Sequence, residues 1–132
     1  MLKGSCLCGD ITFTLRPGAF GDTNACHCRQ CRKQSGHDWV SSEVAHADVD
    51  ISGTPAWFEA SPVAKRGFCA RCGSLLFWQE HGAEAMNVSL GVFDTPTGAH
   101  IDSHIFVADK GDYYDITDGL PTHDQYEAAS HD

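Results

Sequence analysis

Hydrophobic and polar residues alternate in short runs along most of this chain. The clearest run is ITFTL at residues 11–15, in which three apolar side chains alternate with two threonines. A period of two places the apolar side chains on one face of an extended strand. Similar short runs, rich in β-forming residues, lie at residues 38–44, 48–52, 56–60, 74–79, 85–93 and 103–109. The pattern therefore predicts an all-β fold of short strands.

Turn-forming residues separate these runs and leave room for one short helix. The segments RPG, SGTP and DTPTG stand between predicted strands, and the chain carries 13 glycines and 5 prolines. Such residues interrupt long helices and favour turns. The best helical candidate is RQCRKQ at residues 29–34. Four aromatic residues are predicted to lie in the core: Trp39, Trp57, Phe77 and Trp78.

The length and composition fit one globular domain over residues 1–132. About 15 residues at the end are acidic and poor in apolar side chains, so we expect them to be loose. No apolar run approaches the ~20 residues of a membrane helix. The first ten residues lack the apolar stretch of a secretory signal, which predicts a cytoplasmic location.

Negative charge is concentrated in the last third of the chain. The formal net charge is −9, and the segment from Asp94 onward contributes −8, from nine acidic residues against Lys110. An acidic surface argues against nucleic acid as the main partner. Six of the nine basic residues lie close in sequence to cysteines and could attract a small anion: Arg29, Arg32, Lys33, Lys65, Arg66 and Arg71.

Seven cysteines fall into three groups: Cys6 and Cys8, then Cys26, Cys28 and Cys31, then Cys69 and Cys72. An odd number in a chain without an export signal disfavours a full set of disulfides and favours metal binding. A Cys-x-x-Cys step followed by glycine turns so that both sulfurs reach one ion, and Cys-x-Cys on extended backbone places both sulfurs on one face.

Two pairs give four ligands, and the triplet gives three. Cys6, Cys8, Cys69 and Cys72 would form a closed, structural zinc site. Cys26, Cys28 and Cys31 would form a catalytic zinc site, because three protein ligands leave a position for water or substrate. A thiol that entered this position would be held as a thiolate.

Two other partitions of the ligands remain open at this point. Cys28, Cys31, Cys69 and Cys72 could form one ribbon-type site, although the 37 residues between the pairs exceed the common spacing of about 15 to 20. A histidine could instead complete the triplet, with His37, His81 and His104 as candidates. His27 lies between two ligands and would point away from them on extended backbone.

Four segments of the chain are, in order, GSCLCGDITF, CHCRQCRKQSG, RGFCARCGSLLFW and HIFVADKGDYY. Together they resemble the glutathione-dependent formaldehyde-activating enzyme family, which shares its zinc domain with centromere protein V. The resemblance implies an all-β fold of the β-tent type, with the cysteines divided into structural and catalytic zinc ligands as above. It also implies a carbon–sulfur lyase that joins a glutathione-type thiol to an aldehyde, giving S-hydroxymethylglutathione, or cleaves that product. Arg29, Arg32, Lys33 or Arg66 would then receive a glutathione carboxylate.

The chain departs from the family pattern at one motif. After HIFVADK many members carry tryptophan, whereas this sequence has Tyr113 and Tyr114. The chain is also shorter than the characterised members. Two other classes of function therefore stay open: a non-catalytic zinc domain that binds a thiol or a protein partner, and a redox or metal-buffering role of the thiolates.

Overall fold

A computed structural model describes residues 1–126 of the chain. Within this range it has ten strands and one α-helix, with short 3₁₀ turns at His46–Asp48, Leu90–Val92 and Val107–Asp109. The helix α1 is Arg29–Ser35. The strands are β1 (Leu2–Ser5), β2 (Thr12–Leu15), β3 (Thr23–Cys26), β4 (Trp39–Ala45), β5 (Val49–Ser52), β6 (Ala56–Glu59), β7 (Ala64–Phe68), β8 (Leu75–Glu80), β9 (Ala85–Ser89) and β10 (Ser103–Ile105). The prediction of an all-β fold is confirmed.

The chain divides into two compact units. The first comprises Met1–Gly21 and Ser42–Ala99, and the second comprises Asp22–Ser41 with residues 100–126 of the described range. None of the helices in residues 1–126 has the length and apolar character needed to cross a bilayer. The predicted loose tail falls partly outside the described residues, beyond residue 126.

The first unit holds the main hydrophobic core between antiparallel strands. In one sheet β2 lies between β1 and β5, and in a larger sheet β9, β8, β7 and β6 are successive neighbours. Alternation in β2 buries Phe13 and Leu15, as the sequence predicts. The Phe13 ring meets the Phe77 ring edge-on at 5.6 Å between centroids, an arrangement that aromatic quadrupoles favour.

The second unit buries polar as well as apolar side chains. Its strands β3 and β10 pair in parallel, with His104 beside Ala25. All four residues of β3 are buried, and two of them, Thr23 and Asn24, are polar. Buried polar groups need hydrogen-bond partners. This unit therefore depends less on apolar packing than the first.

Several sequence predictions of strand length and burial are wrong in detail. The runs at residues 85–93 and 103–109 stop as strands at Ser89 and Ile105 and continue as 3₁₀ turns. Phe106 takes a positive φ of 54°, which breaks the extended conformation of the second run. Trp57 lies 39% exposed on β6, because its ring covers Phe77 from outside instead of entering the core. Trp39 and Phe77 are buried as predicted.

Candidate metal centres

The first unit brings Cys6, Cys8, Cys69 and Cys72 together. Their four Sγ atoms all lie within 4.8 Å of one another. The Cys6 and Cys8 sulfurs are 3.6 Å apart, and those of Cys8 and Cys69 are 3.7 Å apart. A tetrahedral zinc–thiolate site has sulfurs about 3.8 Å apart, as follows from a Zn–S bond near 2.3 Å. The spacing thus fits four thiolates arranged tetrahedrally around one ion and is far too long for disulfides.

A tight turn places Cys69 and Cys72 on the same side of the backbone. Gly73 donates its N–H to the Cys69 carbonyl at 2.8 Å and has a φ of 78°, the positive angle that the sequence predicts for this glycine. A side chain would be strained in that conformation. The Cys72 N–H points to the Cys69 sulfur at 3.5 Å. Backbone N–H groups directed at sulfur stabilise a thiolate.

A second turn arranges the amino-terminal pair. The Cys6 N–H donates to the Ile11 carbonyl, and the Ile11 N–H approaches the Cys6 sulfur at 3.4 Å. Between the two cysteines, the Leu7 N–H donates to Ser74 Oγ at 2.9 Å, which links this turn to the residues that follow Cys72. Chain segments more than 60 residues apart are therefore joined at the four sulfurs.

The pKa values within this group indicate a need for a cation. The Ser74 hydroxyl, which lies 3.2 Å from the Cys72 sulfur, lowers the pKa of Cys72 to about 5. The Asp10 N–H acts to lower the pKa of Cys8, but burial and the neighbouring thiols outweigh this effect and raise that pKa to about 12. Once one thiol has ionised, its neighbours therefore resist ionisation. A divalent cation would relieve this repulsion, so the donor set fits zinc.

The second unit brings together Cys26, Cys28 and Cys31. Their sulfurs also lie within 4.8 Å of one another, and within residues 1–126 no further His, Cys, Asp or Glu belongs to this group. Cys26 ends β3 and Cys31 lies in the first turn of α1. Cys26 and Cys31 are buried and Cys28 is half-buried, so this group is accessible mainly at Cys28. None of the seven cysteines, all within the described residues, forms a disulfide.

Helix α1 fixes the separation of Cys28 and Cys31. Cys28 is the N-cap, and its sulfur accepts a hydrogen bond from the Cys31 N–H at 3.3 Å. Gly36 ends the helix with a φ of 83° and donates its N–H to the Arg32 carbonyl. The predicted helix is thus confirmed, and its capping turn brings two of the three sulfurs together.

The three thiols also repel one another when ionised. Hydrogen bonding to the Cys28 and Cys31 sulfurs, together with burial and their charge, raises the pKa of Cys26. Three thiolates therefore need a cation between them. The donor set again suits zinc, and it supplies one ligand fewer than a closed tetrahedral site requires.

The histidines considered as a fourth ligand lie elsewhere. His37 stacks on Tyr114, with ring centroids 3.9 Å apart, and His81 pairs with Glu59 at 2.8 Å. His104 lies with His27 and Asp38 in a separate group whose ligand atoms are within 4.8 Å of one another. Cys28 and Cys31 likewise group with Cys26, whereas Cys69 and Cys72 group with the amino-terminal pair, in contrast to the ribbon-type partition.

The sequence does not predict that His27 and His104 form a hydrogen-bonded pair. The two histidines are 77 residues apart in sequence and come together because β3 and β10 pair in parallel. Burial lowers the pKa of His27, and the Asp38 charge opposes this effect. No local spacing signals such a pair.

The basic residues differ in their availability to an anion. Arg66 is only 5% exposed on β7, so the structure removes it from the candidates. Arg29 and Lys33 are exposed on α1, whereas Arg32 donates its Nε–H to the Asp109 carbonyl at 3.3 Å. In the first unit, Arg71 pairs with Asp10. Among the predicted anion-binding residues, Arg29 and Lys33 therefore stay available beside the three cysteines.

A cavity of about 320 Å³ in the first unit contains no thiol. Its lining is mainly apolar, and the Gln79 side-chain amide donates to the carbonyls of Glu80, Ala83 and Ala85. His46 Nε2 lies 2.6 Å from Gln79 Oε1. These polar groups are therefore engaged with one another and with the backbone.

The fold and the two cysteine groups define a β-rich protein with two candidate metal centres. The family model described as glutathione-dependent formaldehyde-activating enzyme matches residues 1–109, and the chain belongs to this family. A crystal structure of a Rhodobacter sphaeroides protein is similar in fold, with a TM-score of 0.58 and 22% identity, over 74% of this chain and 90% of that chain. A search of curated proteins found no significant match.

Proposed function

We propose that the protein is a zinc-dependent carbon–sulfur lyase that acts on a glutathione-type thiol and an aldehyde. The observation that carries the proposal is the convergence of three sulfurs, from Cys26, Cys28 and Cys31, in a group without a fourth ligand from residues 1–126. Family membership supports the choice of glutathione and formaldehyde as the substrate class.

The reaction forms one carbon–sulfur bond. The thiol sulfur attacks the carbonyl carbon of formaldehyde, the carbon–oxygen π bond breaks, and the proton from the thiol ends on the new hydroxyl. The product is S-hydroxymethylglutathione. The reverse reaction breaks the same carbon–sulfur bond and returns the proton to sulfur. No oxidant or reductant is needed in either direction.

The residues of the chain have distinct roles in this proposal. A zinc ion held by Cys26, Cys28 and Cys31 would supply an open position at which a substrate thiol loses its proton. Half-buried Cys28 marks the accessible side of the group, and exposed Arg29 and Lys33 lie next to it on α1. Their charges would attract the glutathione carboxylates and orient the thiol. The four-cysteine group would hold a structural ion.

Glutathione is expected to bind the zinc-loaded protein about tenfold or more tightly than S-methylglutathione does. The methylated compound has no thiol proton to lose, and a thioether is a weaker ligand for zinc than a thiolate. Paired calorimetric titrations of the same preparation measure both affinities. Equal affinities, or no binding of either compound, would contradict the glutathione assignment and favour another thiol or a non-catalytic zinc domain.

A further inference from the structure

Four side chains in the second unit form a continuous chain of hydrogen bonds. The Tyr114 hydroxyl lies 2.7 Å from His27 Nδ1, and His27 Nε2 lies 2.8 Å from His104 Nδ1. His104 Nε2 lies 2.7 Å from Asp118 Oδ2. His27 and His104 are almost fully buried. His27 and His104 lie within the family match over residues 1–109, whereas Tyr114 and Asp118 lie beyond it.

The geometry of the two imidazoles favours a direct hydrogen bond over a shared metal ion. Their ring centroids are 5.1 Å apart and the facing nitrogens are 2.8 Å apart, so the rings point at each other almost along one line. Lone pairs that bind one ion must converge on it from different directions. The Asp38 carboxylate lies 3.9 Å from His27 Nε2, beyond hydrogen-bond distance.

With both imidazoles neutral, one arrangement of protons satisfies every link. The Asp118 carboxylate accepts, so His104 carries its proton on Nε2 and accepts on Nδ1. His27 therefore donates from Nε2 and accepts on Nδ1, where the Tyr114 hydroxyl donates. The hydrogen bond from His104 lowers the pKa of Asp118, which favours an ionised acceptor at that end. Burial raises the pKa of Tyr114, which favours a hydroxyl donor at the other end.

This series of hydrogen bonds fixes the backbone at His27, between two of the three cysteines. His27 lies between Cys26 and Cys28, and its backbone N–H donates to the Ile105 carbonyl at 3.0 Å. Both ring nitrogens are also occupied, so the residue is fixed at three points. Tyr114 is itself held, since the Lys110 ammonium donates to its carbonyl at 2.6 Å. A fixed peptide limits the positions available to the adjacent thiols.

We propose that Tyr114, His104 and Asp118 are positioning residues that act through His27 to hold Cys26, Cys28 and Cys31 in their ion-binding arrangement. A frame that is formed before binding removes the ordering cost from the binding step, so it raises metal affinity. The inference rests on the proposed function only in that it assigns an ion to these three cysteines.

Replacing Tyr114 with phenylalanine is expected to weaken metal binding at the three-cysteine site about three- to tenfold, the effect of one hydrogen bond. Protein carrying one zinc ion is titrated with Co²⁺, whose thiolate charge-transfer absorption reports occupancy of the second site. Tyr113→Phe is the matched control, because it removes a hydroxyl that donates to the Gly36 carbonyl and not to His27. Its affinity for Co²⁺ should equal that of the unaltered protein.

Two further measurements separate positioning from general stability. Asp118→Ala should weaken Co²⁺ binding similarly to Tyr114→Phe, whereas Asp115→Ala at a neighbouring exposed position should not. Nitrogen-15 NMR of the unaltered protein should show the ring proton of His27 on Nε2, the nitrogen that faces His104. Melting temperatures of Tyr114→Phe and Tyr113→Phe should agree within a few degrees.

Unchanged Co²⁺ affinity in both Tyr114→Phe and Asp118→Ala would overturn the inference, as would a proton on His27 Nδ1. The inference would also be overturned if a further Co²⁺ ion bound without thiolate absorption and this ion no longer bound in His104→Ala. That result would indicate a metal site at the histidines. These measurements contain no glutathione. If glutathione does not bind, but the Co²⁺ affinities of Tyr114→Phe and Asp118→Ala are still lower than those of their controls, the proposed substrate is contradicted and the positioning role is supported.

Discussion

Replacing Cys72 with serine is expected to leave the chain without a stable fold. Its sulfur belongs to the group that joins the amino-terminal turn to the turn at residues 69–74. A structural zinc ion contributes apparent binding free energy of about 10–16 kcal/mol, whereas a whole domain is stable by about 5–15 kcal/mol. If the ion is released when one thiolate ligand is lost, the free energy removed is comparable to the stability of a whole domain, and the first unit is expected to unfold.

Circular dichroism and metal analysis of purified Cys72→Ser measure this outcome. The expected result is loss of the native spectrum together with loss of bound zinc. Cys26→Ser is the matched control, since it makes the same chemical change in the three-cysteine group and should fold with one ion. Equal loss of fold and of both ions in the two variants would contradict the division into a structural and a catalytic site.

Cys28→Ser is expected to keep the fold and lose catalysis. Serine is a good N-cap residue, so helix α1 should keep its first turn while the site loses a sulfur ligand. The exchange between formaldehyde and S-hydroxymethylglutathione, followed with ¹³C-labelled formaldehyde by NMR, should fall to the uncatalysed rate. One of the two zinc ions should be lost.

Cys28→Ala tests the same site without the cap. It should lose catalysis as Cys28→Ser does, and it should also lose about 1 kcal/mol of stability, because alanine cannot accept the Cys31 N–H. Catalysis at the rate of the unaltered protein in either variant would show that Cys28 is not needed for the reaction.

Local patterns in the sequence predict seven of the ten strands in residues 1–126, and they predict the cysteine groups. The alternation in ITFTL corresponds to β2, and the RQCRKQ segment corresponds to α1. The turn at Gly73 follows from a Cys-x-x-Cys-Gly motif in which only the last residue readily adopts a positive φ. These features depend on neighbours within a few residues, so the sequence carries them directly.

Features that depend on distant pairing could not be predicted in the same way. His27 and His104 meet because β3 and β10 are parallel neighbours, and no periodicity near either histidine indicates this. Strands β1, β3 and β7 were missed because their short runs, such as TNAC in β3, lack clear alternation. The positive φ at Phe106, where the run 103–109 breaks, is likewise not encoded by a glycine.

The most direct test of the central claim is spectroscopic. Protein with zinc in the four-cysteine group and Co²⁺ in the three-cysteine group is titrated with glutathione, and the thiolate-to-cobalt charge-transfer absorption is recorded. The account predicts that this absorption increases by about one third, because three thiolate ligands become four, and that S-methylglutathione leaves it unchanged. An absorption that stays constant with glutathione would contradict the claim that a substrate thiol completes the site of Cys26, Cys28 and Cys31.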